Sequence, residues 1–81
     1  MMKDDHMQFI NDTVMEQAEK AKSGEVRDCE GWIGPDVWGL APPSERRHVF
    51  GRPLAMLVAQ GRLPLEFIGF DSKRHNLYRK K

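Results

Sequence analysis

Residues 44–81 read SERRHVFGRPLAMLVAQGRLPLEFIGFDSKRHNLYRKK. This block carries nine Lys and Arg against three acids, whereas residues 1–36 carry four against nine. The formal net charge of +1 therefore conceals a basic half near +6 and an acidic half near −5. Clustered Lys and Arg attract phosphates, so we expect the basic half to face a polyanion and the acidic half to point away from it.

The first part of the block predicts a helix at about 44–60, with Ser44 as its N-cap and Gly61 at its end. Helical periodicity places four apolar residues on one side: Phe50, Leu54, Leu57 and Val58. The opposite face presents two hydrogen-bonding and two small side chains: His48, Arg52, Ala55 and Ala59. Pro53 cannot donate to the Val49 carbonyl, so we expect the helix to bend or divide there.

The rest of the block predicts a β-hairpin at about 63–79. Residues 63–70 are rich in β-formers, and Gly69 suggests a bulge. Residues 71–76 form a basic turn, after which residues 77–79 return as the second strand. The hairpin therefore ends in a charged tip.

The N-terminal part predicts an amphipathic helix at about 6–22, with an apolar stripe of Met7, Ile10, Val14, Ala18 and Ala21. Asp5 and Gln8 have the spacing of a capping box, and Ser23-Gly24 marks the end of the helix.

Residues 24–34 contain three glycines and predict a connection with a brief strand at Trp32-Ile33. Gly34-Pro35 then starts a short helix at about 35–41, because proline suits the first helical turn. We expect its apolar residues Val37, Trp38 and Leu40 to pack inward, and we expect both tryptophans to serve the core rather than to stack on bases.

Several classes of function lack support in the sequence. No phosphate-binding loop or nucleophile elbow is present, so we predict neither an enzyme nor a cofactor, and no catalytic residue is assigned. The single cysteine, Cys29, lies between two carboxylates and is a poor thiolate, and the scattered His residues have no metal-ligand spacing. The 81 residues predict one domain without a membrane span or signal peptide, expected in the cytoplasm.

Five short stretches resemble the small winged helix-turn-helix proteins carried by bacteriophages and prophages. They are Trp32-Ile33-Gly34-Pro35-Asp36-Val37-Trp38, Arg46-Arg47 with Phe50-Gly51, Leu57-Val58-Ala59-Gln60-Gly61-Arg62-Leu63, Asp71-Ser72-Lys73-Arg74 and Tyr78-Arg79. The resemblance covers roughly residues 7–81. It implies an α+β winged helix-turn-helix of three helices with a C-terminal β-hairpin wing, and a role as a transcriptional or replication accessory factor.

In this family the third helix usually enters the major groove of double-stranded DNA, and the wing touches the backbone or the minor groove. The residues suit those roles: Arg52 has the fork that recognises a guanine edge, and basic residues at the hairpin tip neutralise phosphates. The predicted nucleic-acid-binding residues are Arg46, Arg47, His48, Arg52, Lys73, Arg74, His75 and Arg79. A homodimer would raise affinity for a repeated site, with Phe9, Met15 and Tyr78 as candidate contacts.

A second function of another class also fits the sequence. Pro53 interrupts the recognition helix, and the acidic half is suited to a basic partner. The alternative is therefore a winged-helix protein-interaction module that inhibits a host polymerase or a defence complex.

Overall fold

An N-terminal helix covers one side of the core in the computed structural model, which describes the backbone of residues 2–81 and the side chains of residues 5–81. This helix, α1, spans Met2–Lys20. Its buried residues follow the predicted stripe, with Ile10, Val14 and Ala18 at 0% exposure. Because α1 begins before Asp5, the predicted capping box is wrong, and Gln8 Nε2 instead donates to Asp12 Oδ1 at 2.8 Å. The predicted range of 6–22 therefore shifts toward the N-terminus.

The segment after α1 differs from the prediction. Strand β1 is Val26–Asp28, and helix α2 is Cys29–Ile33, so the strand expected at Trp32-Ile33 is wrong. Asp28 explains the difference, because its Oδ1 accepts a hydrogen bond from the Gly31 amide at 2.9 Å and caps α2. The helical turn buries Trp32 and Ile33 in the core.

Helix α3 is a single turn, Pro35–Trp38, rather than the predicted 35–41. Gly34 precedes it with φ +95°, a conformation that favours glycine. Val37 and Trp38 pack against the core as expected, but Leu40 is 76% exposed, which corrects its predicted inward position. The reason is that the helix ends before Leu40, which lies in the following turn.

The third helical segment is divided into three pieces. A 3₁₀ turn covers Pro43–Glu45, a π-helical turn covers Arg47–Gly51, and helix α4 covers Arg52–Ala59. The single helix predicted at 44–60 is therefore wrong, and Ser44 lies inside the 3₁₀ turn, where no side chain caps the helix. The predicted apolar side is confirmed for Phe50, Leu54 and Leu57, which are buried.

Pro53 accounts for the division. It stands in the first turn of α4, where its missing N–H costs least. The Val49 carbonyl, which an α-helix would pair with residue 53, instead accepts a hydrogen bond from His6 Nε2 at 2.7 Å. A carbonyl only accepts, so Nε2 carries the proton in this contact. A side chain of α1 thus replaces the donor that proline lacks.

The C-terminal hairpin consists of β2, Leu65–Phe70, and β3, Asn76–Lys80, close to the predicted 63–79. The predicted bulge is confirmed, because the register shifts between Phe67 and Gly69, and Gly69 has φ +118°. Strand β3 also pairs with β1, so the three strands form an antiparallel sheet in the order β1-β3-β2. The sheet thus joins residues from both ends of the chain.

The helical layer meets the sheet at a buried hydrogen bond. Trp32 Nε1 donates to the Tyr78 carbonyl at 3.0 Å, and both side chains are at most 1% exposed. Tyr78 is therefore unavailable as the dimer contact considered from the sequence. The fold is α+β, with four α-helices instead of the predicted three among the described residues. None of these helices has the length and apolar character needed to cross a membrane.

The bond between His6 and Val49 predicts a coupling that a double-mutant cycle measures. His6→Ala should lower the free energy of unfolding by about 1 kcal/mol, because it leaves a half-buried carbonyl without its donor. In a Pro53→Ala background the cost of His6→Ala should fall by half or more, since the alanine introduced there supplies a backbone N–H for the Val49 carbonyl.

Urea denaturation of the four proteins in the cycle measures this coupling. His48→Ala is the matched control, because His48 is exposed on the same helical segment, and it should change stability by less than about 0.5 kcal/mol. Equal costs for His6→Ala in both backgrounds would show that Pro53 does not create the need for His6.

Candidate functional site

An open groove of about 1100 Å³ separates the third helical segment from the tip of the hairpin. One wall includes Gly51 and Ala55, the other includes Phe70 and Asn76, and residues 28–30 line the groove as well. We call this feature the basic groove, because most of the charged side chains that line it are cationic.

Six of the eight predicted nucleic-acid-binding residues line the basic groove: Arg46, Arg47, Arg52, Lys73, Arg74 and His75. They come from two segments more than twenty residues apart in the sequence, and the fold brings them to one surface. Asp28 and Glu30 are the carboxylates on its lining. The predicted cations of the helix and of the hairpin tip therefore face one shared space.

Four of these cations have free guanidinium or ammonium groups. Arg47, Arg52, Lys73 and Arg74 are exposed, and no ion pair among the side chains of residues 5–81 involves them. Charges without a protein partner remain available to an external anion. These four residues are the strongest candidates for contact with phosphate.

Arg46 differs from the other groove cations because the protein already uses its side chain. Its Nε donates to the Ala41 carbonyl at 3.0 Å, and its guanidinium lies 5.4 Å from the ring centroid of Trp38. Trp38 in turn stacks on Phe50 with centroids 5.4 Å apart. Arg46 therefore supports the wall of the groove.

The other two predicted residues lie outside the lining of the groove. His48 is exposed on the π-helical turn but does not line the groove. Arg79 lies on β3, where its guanidinium pairs with Glu66 at 3.3 Å. The groove thus joins Arg52, Lys73 and Arg74 but leaves His48 and Arg79 apart.

Asp71 organises the hairpin loop, residues 71–75. Its Oδ1 accepts hydrogen bonds from the amides of Lys73 at 2.8 Å and His75 at 2.9 Å. The bond from the His75 amide is the largest cause that lowers the pKa of Asp71 below 3.8, and the Lys73 amide and the His75 side chain lower it further against the opposing effect of burial. The carboxylate therefore holds the loop while it is ionised.

Arg74 has φ +65°, and it is the one described residue other than glycine with a positive φ. A left-handed conformation costs such a residue roughly 1 kcal/mol, and the Asp71 bonds on either side hold the turn in this shape. Glycine would suit the position better on backbone grounds alone. A long cationic side chain at this point therefore favours a role at the surface of the groove.

The groove lining offers no reactive thiol. Burial raises the pKa of Cys29 to about 12, with a further contribution from the neighbouring Asp28 and Glu30. The poor thiolate predicted from the sequence is thus confirmed, although burial outweighs the two carboxylates.

One set of possible metal ligands was missed by the sequence analysis. Single ligand atoms of Asp28, Asp71 and His75 lie within 4.8 Å of one another. Their spacing in the sequence carries no signal, because the β1-β3 pairing brings Asp28 to the hairpin. Three ligands are fewer than the four of a closed zinc site, and Asp28 and Asp71 already cap backbone amides.

Phe70 was also missed. It lines the groove beside the hairpin loop and is 65% exposed. The sequence did carry a signal, because Phe70 directly precedes the basic loop, and aromatic side chains beside cations can stack on bases. The sequence analysis had assigned Phe70 only to the first strand of the hairpin.

Comparison of the chain with models of known protein families, with curated proteins and with solved structures found no match to any of them.

The lowered pKa of Asp71 predicts that the hairpin loop loosens in acid. A depressed carboxyl pKa stabilises the folded loop above the ordinary value of 3.8, and this stabilisation is lost as pH falls through the lower folded pKa. The amide protons of Lys73 and His75 should therefore lose protection and shift in NMR spectra as the pH is lowered below 3.8.

Asp71→Asn provides the control, because the amide oxygen still accepts a hydrogen bond but does not titrate. The pH dependence at Lys73 and His75 should vanish in this variant. Identical titrations of the two proteins would exclude Asp71 as the group that holds the loop.

Proposed function

We propose that this protein is a winged-helix protein that binds double-stranded DNA, a phage- or prophage-type accessory factor in transcription or replication that acts in the cytoplasm. The supporting observation is the basic groove, where unpaired cations of a helix and a hairpin face one space. The order of helices before a C-terminal hairpin and the sheet order β1-β3-β2 are compatible with a winged-helix layout.

The two walls of the groove have different roles in this proposal. Arg52, with the small residues Ala55 and Ala59 on the same face of α4, presents a guanidinium fork on a surface that allows close approach to a base edge. His48 lies on the adjoining π-helical turn and contacts a base or a phosphate. The helical segment thereby reads the major groove.

Lys73, Arg74 and His75 extend from the loop of the hairpin, which is the wing in this proposal. They neutralise backbone phosphates, and such contacts set affinity and register more than sequence preference. Arg47 adds a phosphate contact at the other wall. In this proposal the helical segment contacts the bases, and the hairpin loop binds the phosphate backbone.

Salt dependence is the direct test of the proposal. Contact with about three to five phosphates predicts that the logarithm of the duplex association constant falls with the logarithm of salt concentration at a slope of about −3 to −4.5. Fluorescence anisotropy with a labelled duplex measures this slope. Absence of duplex binding even at low salt would refute DNA binding and would leave the protein-interaction module as the surviving hypothesis.

Arg74→Gly separates DNA binding from folding. Glycine accepts the positive φ of residue 74, so the change in unfolding free energy should stay within about 1 kcal/mol in either direction. The same variant should weaken duplex binding and make the salt slope shallower by about 0.9, because one phosphate contact is lost.

Arg62→Ala is the matched control, since Arg62 is an exposed cation of the same basic half that does not line the groove. It should leave the salt slope unchanged. Equal losses of affinity in the two variants would indicate a diffuse charge effect instead of a defined groove.

A further inference from the structure

An aromatic ring stands uncovered among the cations of the basic groove. Phe70 ends β2, and 65% of the residue is exposed. Arg52, Lys73 and Arg74 line the same groove. The described chain leaves most of this large apolar side chain uncovered, although it faces the surface proposed to bind DNA.

Neighbouring aromatic side chains restrict the ring of Phe70. Phe67 contacts Phe70 in an edge-to-face arrangement with centroids 5.4 Å apart. Phe67 also lies 5.9 Å from the ring of Tyr78, which is buried. Phe67 is itself 48% exposed, and its contacts with Phe70 and with the buried Tyr78 restrict the orientation of the Phe70 ring.

In an undeformed DNA duplex the faces of the bases are not open to such a ring. The bases are stacked on one another, and the surface that the duplex brings to a groove consists of phosphates, sugars and base edges. An unpaired base has a free π face, and stacking of that face on an aromatic side chain contributes substantially to binding of single strands. The exposed ring therefore favours an unpaired base over a phosphate.

The charges that line the groove suit a nucleotide whose base points into the groove and whose phosphates contact the arginines. Arg47, Arg52 and Arg74 are exposed cations suited to the phosphates, whereas the carboxylates of Asp28 and Glu30 repel phosphates and accept hydrogen bonds from base amino groups. The groove of about 1100 Å³ also has the size of pockets that enclose small molecules, which is sufficient for an unpaired nucleotide.

We propose that Phe70 stacks on an unpaired base, so that the preferred ligand is a junction between duplex and single-stranded DNA. The helical segment and the hairpin loop hold the duplex, and the basic groove takes the first unpaired nucleotides. This inference rests on the proposed DNA-binding function and specifies the form of DNA that the site prefers.

The test compares three labelled DNAs: a blunt duplex, the same duplex with a single-stranded overhang, and the single strand alone. The duplex with an overhang should bind the tightest, about 5- to 100-fold more tightly than the blunt duplex. Phe70→Ala should reduce the ratio of overhang affinity to blunt-duplex affinity to about one, and Phe70→Trp should restore the ratio, because indole also stacks on bases.

Phe9→Ala is the matched control. Phe9 is a phenylalanine of α1 that is 46% exposed, and it does not line the basic groove. Its substitution should leave all three affinities unchanged. Circular dichroism melting should show that Phe70→Ala remains folded, as expected for a side chain that contributes little to the core.

The outcomes separate this inference from the function on which it rests. Equal binding of blunt and overhang DNA would overturn stacking by Phe70 and leave duplex binding in place, whereas no binding of any DNA would overturn both. Preference for the overhang in Phe70→Ala would also overturn the inference. Sedimentation experiments could instead show a dimer that the Phe70→Ala substitution dissociates. That result would show that a second copy of the chain covers Phe70, and it would also overturn the stacking inference.

Discussion

The hydrogen bond from the Trp32 indole to the Tyr78 carbonyl joins the two layers of this protein. Tyr78 lies in β3, the central strand, which pairs with β1 on one side and β2 on the other. The hydrogen bond therefore fixes α2 against the strand on which both edges of the sheet depend. A carbonyl buried there without its donor would cost roughly 1–3 kcal/mol, which is a large fraction of the stability of a small domain.

Pro53 imposes a second constraint on the same surface. Because it cannot continue the hydrogen-bond ladder of a helix, the segment before α4 adopts a π-helical turn, and His6 supplies a bond to the Val49 carbonyl. The wall that carries Arg47 and Arg52 is consequently joined to α1 by a side-chain contact. An interruption that is unfavourable for a regular helix thus contributes to the shape of the groove.

Much of the local structure was predictable, because neighbouring residues decide it. The buried stripe of α1, the apolar side of the third helical segment and the bulge at Gly69 follow from spacing and backbone preference. Strand β1 was not predictable, because it forms only by pairing with β3 some fifty residues away. Helix α2 was missed because the surrounding residues have the composition of a loop or strand. That composition outweighed the signal of Asp28 as an N-cap.

For the candidate site, the sequence by itself determined the division of charge into an acidic and a basic half and the presence of basic residues on a helix and a hairpin tip. Only the tertiary structure decided which cations share the groove and which of them are free, since Arg79 lies outside it and pairs with Glu66, whereas Arg46 lines it but donates to the Ala41 carbonyl. It also placed Phe70 beside the free cations. The physical reason is that composition and periodicity act over a few residues, whereas neutralisation and exposure depend on contacts between distant segments.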